Sequence, residues 1–425
     1  PPSTDKHSNN KKKKRGKSNN PAGGQKGHKG VNLKPVSDPD EIKNINIDKR
    51  TLPKGKKYTV NGYESRQVID IKISRHTIEY RAQVLIDEEN NRYVAPFPKE
   101  ISRPVQYGAS VKANATYASV YQLIPYERVQ EQFRDEYEIP LSKGSVFNFN
   151  KEASERLITL GFETAVKKAL EMSEVSHADE TGINVNGSKI WLHNMSNEQW
   201  TWFAPHEKRG TLAMNDIGII PKFRGILCHD HWKPYYTYDG CSHSLCNAHH
   251  LRELTCAFEQ EKQGWAMQMH TFLTDLNKSV DATEKNQLSE EEIQKHKKAY
   301  RHIIDTGEKE CPLVQPPPGT KRKPAQSKSR NLLIRLRDYE DDVLRFMINS
   351  LTPFTNNQGE RDIRMTKVQQ KISGCFRSME GAINFCRIQS YLSTCKKNKV
   401  SASEALEMLF NNKLPSFIQE IIDSS

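Results

Sequence analysis

Residues 175–204 read VSHADETGINVNGSKIWLHNMSNEQWTWFA and predict three neighbouring β-strands. Alternating and β-branched residues place the strands at Val175–Thr181, Lys189–Met195 and Gln199–Ala204. Asn186-Gly187 separates the first two, and this dipeptide is a strong signal for a tight β-hairpin turn. The stretch therefore predicts an antiparallel meander.

The segments that follow predict how the sheet continues. Gly210–Ile220 has a helical pattern, and Phe223–Cys228 is a short apolar strand that ends at His229-Asp230-His231. A strand at Ser242–Cys246 and a helix from Ala248 to about Phe258 come next. Three hairpin-linked strands, a helix, a strand, and a further strand and helix match the order of an α/β, ribonuclease-H-like fold.

Composition changes along the chain predict seven parts. Residues 101–172 contain two helices around a short turn, which fits either a DNA-reading helix-turn-helix or a plain helical bundle. Ser142 is a candidate helix cap in this region, and Glu152–Ser173 predicts one longer amphipathic helix. Before this region, Gln67–Ile73 alternates with period two and predicts a strand. The parts are a basic disordered tail (1–35), a small β-rich module (36–100), this helical region (101–172), the first part of the catalytic core (173–259), a helical insertion and linker (260–345), the second part of the core (346–399) and a C-terminal helical end (400–425).

The charge indicates an anionic partner. The chain carries 64 Lys and Arg against 52 Asp and Glu, a formal net charge of +12. Residues 1–30 hold nine of these cations and one acid, with almost no apolar residue to form a core. Such a tail either solubilises the protein or lies along a DNA backbone and gains from counterion release. The candidate phosphate contacts are Lys11, Lys12, Lys13, Lys14, Arg15, Lys26 and Lys29.

Targeting signals and the positions of the cysteines limit the cellular compartment. No apolar run approaches the roughly 18 residues of a membrane span, and no signal peptide is visible. All eight cysteines follow residue 227, which is unlike a secreted disulfide scaffold and predicts reduced thiols in a cytoplasm. The chain begins with Pro1 instead of Met, so we expect a missing N-terminal part.

Three acids are candidates for phosphodiester chemistry by two metal ions, which needs carboxylates around a pair of Mg²⁺. Asp179 lies in the first core strand, where only it or Glu180 can face a site because neighbouring residues point to opposite faces. Asp230 ends an apolar strand, and Glu360 begins a helix. Taken alone, Asp179 is better explained as an exposed acid on an edge strand and Asp230 as an ordinary loop acid. Glu360 fits a solvated helix face with ion pairs as well as it fits a metal ligand.

The helix that begins at Glu360 has two distinct faces. Arg364, Lys367 and Lys371 fall within roughly 40° of Glu360 and predict a phosphate-binding stripe. A second face predicts packing against the protein and carries Met365, Val368 and Ile372.

A group of cysteines and histidines follows Asp230. Cys241, Cys246 and His249 offer ligand types for zinc, but a closed zinc site needs four well-placed ligands. The alternative is that Cys246 and His249 pack behind the active site, and His229 has a similar supporting role beside Asp230. Arg252, near the start of the same predicted helix, is a further candidate phosphate contact.

Several of these motifs occur together in one order: GGQKGHKG (23–30), HADETG (177–182), Ile190-Trp191-Leu192-His193, His229-Asp230, Cys246-x2-His249-x2-Arg252-Glu253-Leu254 and Asn356-Asn357-x2-Glu360-Arg361-x2-Arg364. With them the chain resembles the transposases of the bacterial insertion sequence 66 family. The resemblance covers nearly the whole chain outside 260–345, where the family carries a helical insert.

The resemblance implies a catalytic triad of Asp179, Asp230 and Glu360 that holds two Mg²⁺ (or Mn²⁺) ions. It implies DNA cleavage at the ends of a mobile element, transfer of the 3′-hydroxyl to target DNA, and a homo-oligomer on paired ends at the bacterial nucleoid. An inactive DNA-binding remnant and a nuclease without strand transfer remain alternatives.

Two departures from the family stand out. The family often has a cysteine-rich zinc module after the Gly-rich stretch, whereas residues 36–100 contain no cysteine. It also often begins with a coiled-coil-like segment, which is absent here and fits the expected truncation.

Overall fold

The computed structural model describes residues 33–316 and 324–424 and divides the chain into two units, Pro1–Ile73 and Ser74–Ser425. In the described part of the first unit, residues 33–73, the regular structure is a single 3₁₀ turn at Lys49–Thr51. The Asp48 carboxylate caps this turn by accepting the backbone N–H of Arg50 at 3.0 Å.

The prediction of a strand at Gln67–Ile73 is wrong. These residues form no regular element, and Val68 and Ile71 are 92% and 82% exposed. Between residues 77 and 100, strand structure is limited to β1 (Val84–Ile86) and β2 (Arg92–Val94), an antiparallel pair. Alternating apolar residues form a stable strand only where a partner strand pairs with them and a core covers their apolar face. Neither a partner strand nor a core covers Gln67–Ile73.

The second unit has an α/β fold around a mixed five-stranded sheet. Its strands are β3 (Val175–Val185), β4 (Ser188–Ser196), β5 (Thr201–His206), β6 (Ile226–His229) and β7 (Ser242–Leu245). The spatial order is β5-β4-β3-β6-β7. The first three strands pair antiparallel, and β6 and β7 continue the sheet in parallel with β3.

The β3–β4 hairpin confirms the prediction made from Asn186-Gly187. Both residues have positive φ, 47° and 83°, as a two-residue turn of the primed type requires. The Asn184 side chain accepts the N–H of Gly187 at 2.9 Å and closes the turn. The hairpin fixes the register in which Asp179 lies opposite Asn194.

Fourteen α-helices occur in the described residues: α1 (Ala109–Thr116), α2 (Tyr126–Tyr137), α3 (Lys143–Thr159), α4 (Phe162–Glu171), α5 (Thr211–Ile217), α6 (Asn247–Glu261), α7 (Gly264–Asp281), α8 (Glu290–Glu310), α9 (Lys328–Asp338), α10 (Glu340–Ile348), α11 (Asn357–Ser373), α12 (Met379–Lys397), α13 (Ala402–Phe410) and α14 (Ser416–Asp423). None of them is both long and apolar enough to cross a membrane.

One long helix expected over Glu152–Ser173 is two helices in the structure. Ser142 caps α3 by accepting the N–H of Ser145, as its sequence position suggests. The chain then breaks at Gly161, whose φ of 82° is left-handed and ends the helical path before α4 begins.

Two hydrophobic cores stabilise the second unit. The first joins helices α1–α4 and α12–α14 to the sheet, with Leu192 and Tyr391 fully buried. The second lies within α6–α10, around Trp265, Tyr300 and Leu333. Helices α6–α10 therefore have apolar packing of their own beside the sheet.

We predict that Gly225→Ala destabilises the sheet at the start of β6. A Cβ at this position would lie 2.4 Å from the carbonyl oxygen of Glu174 and 2.5 Å from that of Ser173. These oxygens belong to the backbone and cannot move away without distorting it, so we expect the free energy of unfolding to fall by about 2 kcal/mol. Urea denaturation followed by circular dichroism measures this.

Gly144→Ala is the matched control, because its Cβ meets nothing closer than the Ser142 hydroxyl at 3.7 Å. In the first turn of α3, alanine leaves stability unchanged or raises it by up to about 1 kcal/mol. Equal unfolding midpoints for the two variants would contradict the close approach at Gly225.

Candidate active site

Asp179 and Asp230 lie at the same level of two neighbouring parallel strands. His177 of β3 is opposite Cys228 of β6, and each aspartate follows its strand partner by two residues. Asp179 thus lies within β3, just past the point where its parallel pairing with β6 ends, and Asp230 follows the carboxyl end of β6. The Asp230 carboxylate is held by the backbone N–H of Trp232 at 3.1 Å.

Glu360 approaches the sheet from the first turn of α11, which packs against β3 and β4. The Asn194 side chain of β4 donates to the Gly359 carbonyl at 3.2 Å. Gly359 is buried, and a Cβ there would lie 3.1 Å from Asn356 Oδ1 and 3.4 Å from the His177 Cβ. A residue without a side chain next to Glu360 thus allows the helix to approach the strand.

Asn356 joins three elements immediately before α11. Its Oδ1 accepts the Nδ1–H of His177 at 2.7 Å, and its Nδ2 donates to the carbonyl of Ala178 at 2.9 Å. Its backbone N–H donates to the Cys246 Sγ at 3.1 Å. Asn356 is 2% exposed, so these bonds are shielded from water. The start of α11 is therefore fixed to the residues on the N-terminal side of Asp179.

The Asp179 carboxyl lies in a negative environment. Burial raises its pKa to about 7, and the charges of Glu180, Asp230 and Glu360 act in the same direction. One backbone hydrogen bond, from the N–H of Glu180 at 2.9 Å, opposes the shift. A buried carboxylate with like charges nearby is a position where a cation would be stabilised.

Glu360 itself faces basic residues of α6. Its Oε1 lies 3.7 Å from His249 Nδ1 and 3.7 Å from Arg252 Nη2. Both Oε1 and His249 Nδ1 are buried atoms without a hydrogen-bond partner among the described residues. Such atoms have lost water and gained no donor in exchange, which marks a place for a further ligand.

The same carboxylate belongs to a group with mixed donor atoms. Cys246 Sγ, a ring nitrogen of His249 and an oxygen of Glu360 lie within 4.8 Å of one another. In the described ranges this group, and not the three carboxylates, has the spacing to share one ion. Cys241 is not a member, since its Sγ donates to the Tyr238 carbonyl at 3.5 Å. The three carboxylates as metal ligands stay a prediction.

His229 supports the turn that carries Asp230. Its Nδ1 accepts the backbone N–H of His231 at 3.2 Å, so the ring proton lies on Nε2, which donates to His243 Nδ1 at 3.1 Å. Burial lowers the pKa of His229 well below its ordinary value and keeps the ring neutral. His231 has a left-handed φ of 67°, which turns the chain directly after Asp230.

Sequence patterns did not reveal the partners of Glu180. Its carboxylate is bound by Arg209 Nη2 at 2.6 Å and by the Tyr235 hydroxyl at 2.6 Å. Glu180 is thus engaged in an ion pair, while Asp179 has no basic partner among the described residues. The arginine comes from the loop after β5, 29 residues away, and no spacing rule connects the two.

The predicted phosphate contacts fall into two groups. Lys11 to Arg15, Lys26 and Lys29 lie outside the described residues. Arg252, Arg364, Lys367 and Lys371 are exposed, as binding to DNA requires. Lys367 also donates to the carbonyl of Gly182 at 2.8 Å, which brings it to the end of the HADETG motif.

The prediction that Met365, Val368 and Ile372 pack against the protein is wrong. They are 38%, 37% and 47% exposed, and the buried residues of α11 are Gly359, Ile363 and Thr366. One glycine and two β-branched residues let α11 lie close to β3, and the larger apolar side chains are rotated away. Hydrophobicity alone does not identify the face on which close approach is possible.

We predict that Asn356→Ala lowers the free energy of unfolding by about 3 kcal/mol. The change leaves His177 Nδ1 and the Ala178 carbonyl buried without partners, and each unpaired group costs on the order of 1–3 kcal/mol. Denaturant unfolding measures the effect. Asn357→Ala, at an exposed position one residue later, is the control. A loss no larger than the control's would refute the connecting role of Asn356.

Comparison with known proteins identifies the family of the chain. A family model described as "Transposase IS66 family" matches residues 104–384, more than half of the chain, from before α1 to within α12. No curated protein matches the chain. The matched region contains Asp179, Asp230 and Glu360 together with every element that positions them. The chain belongs to the IS66 family of transposases, which are DNA-processing enzymes.

Proposed function

We propose that this protein is a DDE-type transposase that cleaves phosphodiester bonds at the ends of a mobile element and transfers the 3′-hydroxyl to target DNA. In this proposal the five-stranded sheet is a ribonuclease-H-like core. The strand order β5-β4-β3-β6-β7, with β4 the antiparallel strand between β5 and β3, supports that assignment.

One observation carries the proposal. The register of β3 with β6 sets Asp179 and Asp230 level on adjacent parallel strands, and α11 brings the charge of Glu360 close enough to raise the pKa of Asp179. Three acids, separated by 51 and 130 residues in sequence, thus interact electrostatically where the pairing of β3 with β6 ends. Stability gives no reason to gather like charges around the partly buried Asp179, whereas metal-dependent phosphoryl chemistry does.

The donor types of Asp179, Asp230 and Glu360 suit Mg²⁺ or Mn²⁺, although their oxygens do not lie close enough together in this structure to share one ion. Oε1 of Glu360 accepts no hydrogen bond among the described residues and could bind one of the ions. When bound, two such ions supply an activated attacking oxygen and a stabilised leaving oxygen.

The protein's own groups orient the substrate. Arg252 and His249, on the exposed side of Glu360, are placed to contact the phosphate at which cleavage occurs. Arg364 and Lys371 on α11 bind the neighbouring backbone phosphates, and the basic residues of the N-terminal tail add affinity without sequence preference. Asn356 and Asn194 keep Glu360 at a fixed distance from β3. Pairing of two element ends requires a homo-oligomer.

The proposal is tested with DNA that carries the element's own ends, incubated with Mg²⁺ or Mn²⁺. We expect nicked and joined products that disappear when the metal is removed by EDTA. Asp230→Ala should reduce both products by at least about a thousandfold, because a lost metal ligand removes several kcal/mol of transition-state stabilisation.

Asp239→Ala is the matched control, since Asp239 is an exposed acid in the loop after the same strand. It should retain full cleavage and joining. DNA binding without cleavage by the parent protein would refute the catalytic proposal. Cleavage without joined products would identify a nuclease.

A further inference from the structure

The Trp191 indole of the Ile190-Trp191-Leu192-His193 motif belongs to a stack of three side chains. The guanidinium carbon of Arg209 lies 4.7 Å from the centre of the Trp191 ring and 4.1 Å from that of Trp232. One planar cation thus contacts two indoles that come from β4 and from the turn after Asp230. Both indoles are half-buried. We call this group the Trp–Arg–Trp stack.

A buried acid holds the stack in position. Arg209 Nε and Nη2 donate to one oxygen of Glu180 at 3.0 and 2.6 Å, and the Tyr235 hydroxyl donates to the other oxygen at 2.6 Å. The Glu180 side chain is 2% exposed, whereas that of Arg209 is 38% exposed. The guanidinium is therefore oriented from the protein side and remains accessible from the solvent side.

The stack lies beside the proposed catalytic Asp230, because the backbone N–H of Trp232 donates to the Asp230 carboxylate at 3.1 Å. Glu180, which holds Arg209, follows Asp179 in β3 and points to the opposite face of that strand, but its charge still acts on the carboxyls of both Asp179 and Asp230. A group bound on the stack would thus be adjacent to Asp230.

Further cations surround the stack. Lys189 Nζ lies 4.2 Å from the centre of the Trp191 ring. The side chain of Lys189 also passes over Gly182, where a Cβ would lie 2.8 Å from its Cε, and Lys367 donates to the Gly182 carbonyl. The absence of a side chain at Gly182 therefore lets two lysines converge next to the indoles. Lys189 is exposed, so its ammonium group can leave the Trp191 ring and bind a phosphate instead.

From this geometry we infer that the Trp–Arg–Trp stack binds an unpaired nucleobase of the DNA next to the bond that is cut. Aromatic and guanidinium planes combined with flanking lysines form the type of site that stacks bases of single-stranded nucleic acid. Inside a duplex both faces of a base are covered by its neighbours, so the stack takes a base that has left the helix. The inference rests on the proposed function and names a part of its substrate.

The stack gives the protein a means of distorting DNA at the cleavage position. A base held outside the helix loses its pairing and stacking, which costs the least at a mismatch, a nick or a strand end. Stacking on the indoles offsets that cost, and Lys189 and Lys367 bind the phosphates on either side. The phosphodiester next to the unpaired base is then presented to the proposed active site from the side of Asp230.

The inference is tested by binding of the full-length protein in EDTA, where no cleavage is needed. The probes are three versions of one DNA duplex, which contain a single unpaired 2-aminopurine, an abasic residue at that position, or a fully paired 2-aminopurine. We expect the unpaired base to bind about tenfold more tightly than the abasic probe, with loss of 2-aminopurine fluorescence as it stacks.

Trp191→Leu and Trp232→Leu should each abolish the tenfold preference and the fluorescence loss, whereas Trp191→Phe should keep most of both. Phe258→Leu, at an exposed aromatic residue of α6, is the control and should change neither. Lys371→Ala should weaken all three probes equally, because a phosphate contact does not distinguish bases.

The two proposals fail in different ways. Equal affinity of the parent protein for the three probes, or a preference that survives both leucine variants, would overturn the stacking inference and leave metal-dependent cleavage untouched. A base preference that depends on both tryptophans, in a protein that never cuts DNA, would support the stacking site and refute the catalytic proposal.

Discussion

The hydrogen bonds of Asn356 are the constraint on which the rest of the site depends. A single buried amide joins His177 and Ala178 of β3 to the start of α11, and the adjacent backbone N–H joins the same point to Cys246 at the start of α6. Glu360 follows four residues later. Because helices are stiff, a fixed start of α11 fixes the Glu360 side chain relative to Asp179.

Helix α10 supports the other side of the site. The Tyr236 hydroxyl donates to Asp342, Arg345 donates to the His243 carbonyl, and the Asn247 side chain donates to the Val343 carbonyl. These bonds connect α10 to β7, to the start of α6 and to the turn after Asp230. Helices α6–α10 pack around a core of their own, so α10 acts as a rigid support for that turn.

The sequence was sufficient for the parts of the fold that depend on local pattern. Asn186-Gly187 predicted the hairpin, Ser142 predicted a helix cap, and the five strands of the sheet lie close to their predicted positions. The sequence did not predict the hydrogen bonds between distant residues. Asn356 and His177 are 179 residues apart, and no periodicity in the sequence connects them. The incorrect prediction of a strand at Gln67–Ile73 has the same cause. Alternating residues define an apolar face, but they do not show whether another part of the protein covers that face.

Cys246 illustrates how donor types and protonation together limit the chemistry near Glu360. A zinc ion binds thiolate, whereas burial raises the pKa of the Cys246 thiol despite the N–H groups of Asn356, His249 and Ala248 that favour its charged form. A zinc ion at Cys246, His249 and Glu360 would have to supply the free energy of that deprotonation. As a neutral acceptor for the Asn356 N–H, Cys246 already has a structural role at the start of α6. In the proposed function, the Glu360 oxygen that accepts no hydrogen bond among the described residues would act with Asp179 and Asp230, whose hard oxygen ligands favour Mg²⁺ over softer ions.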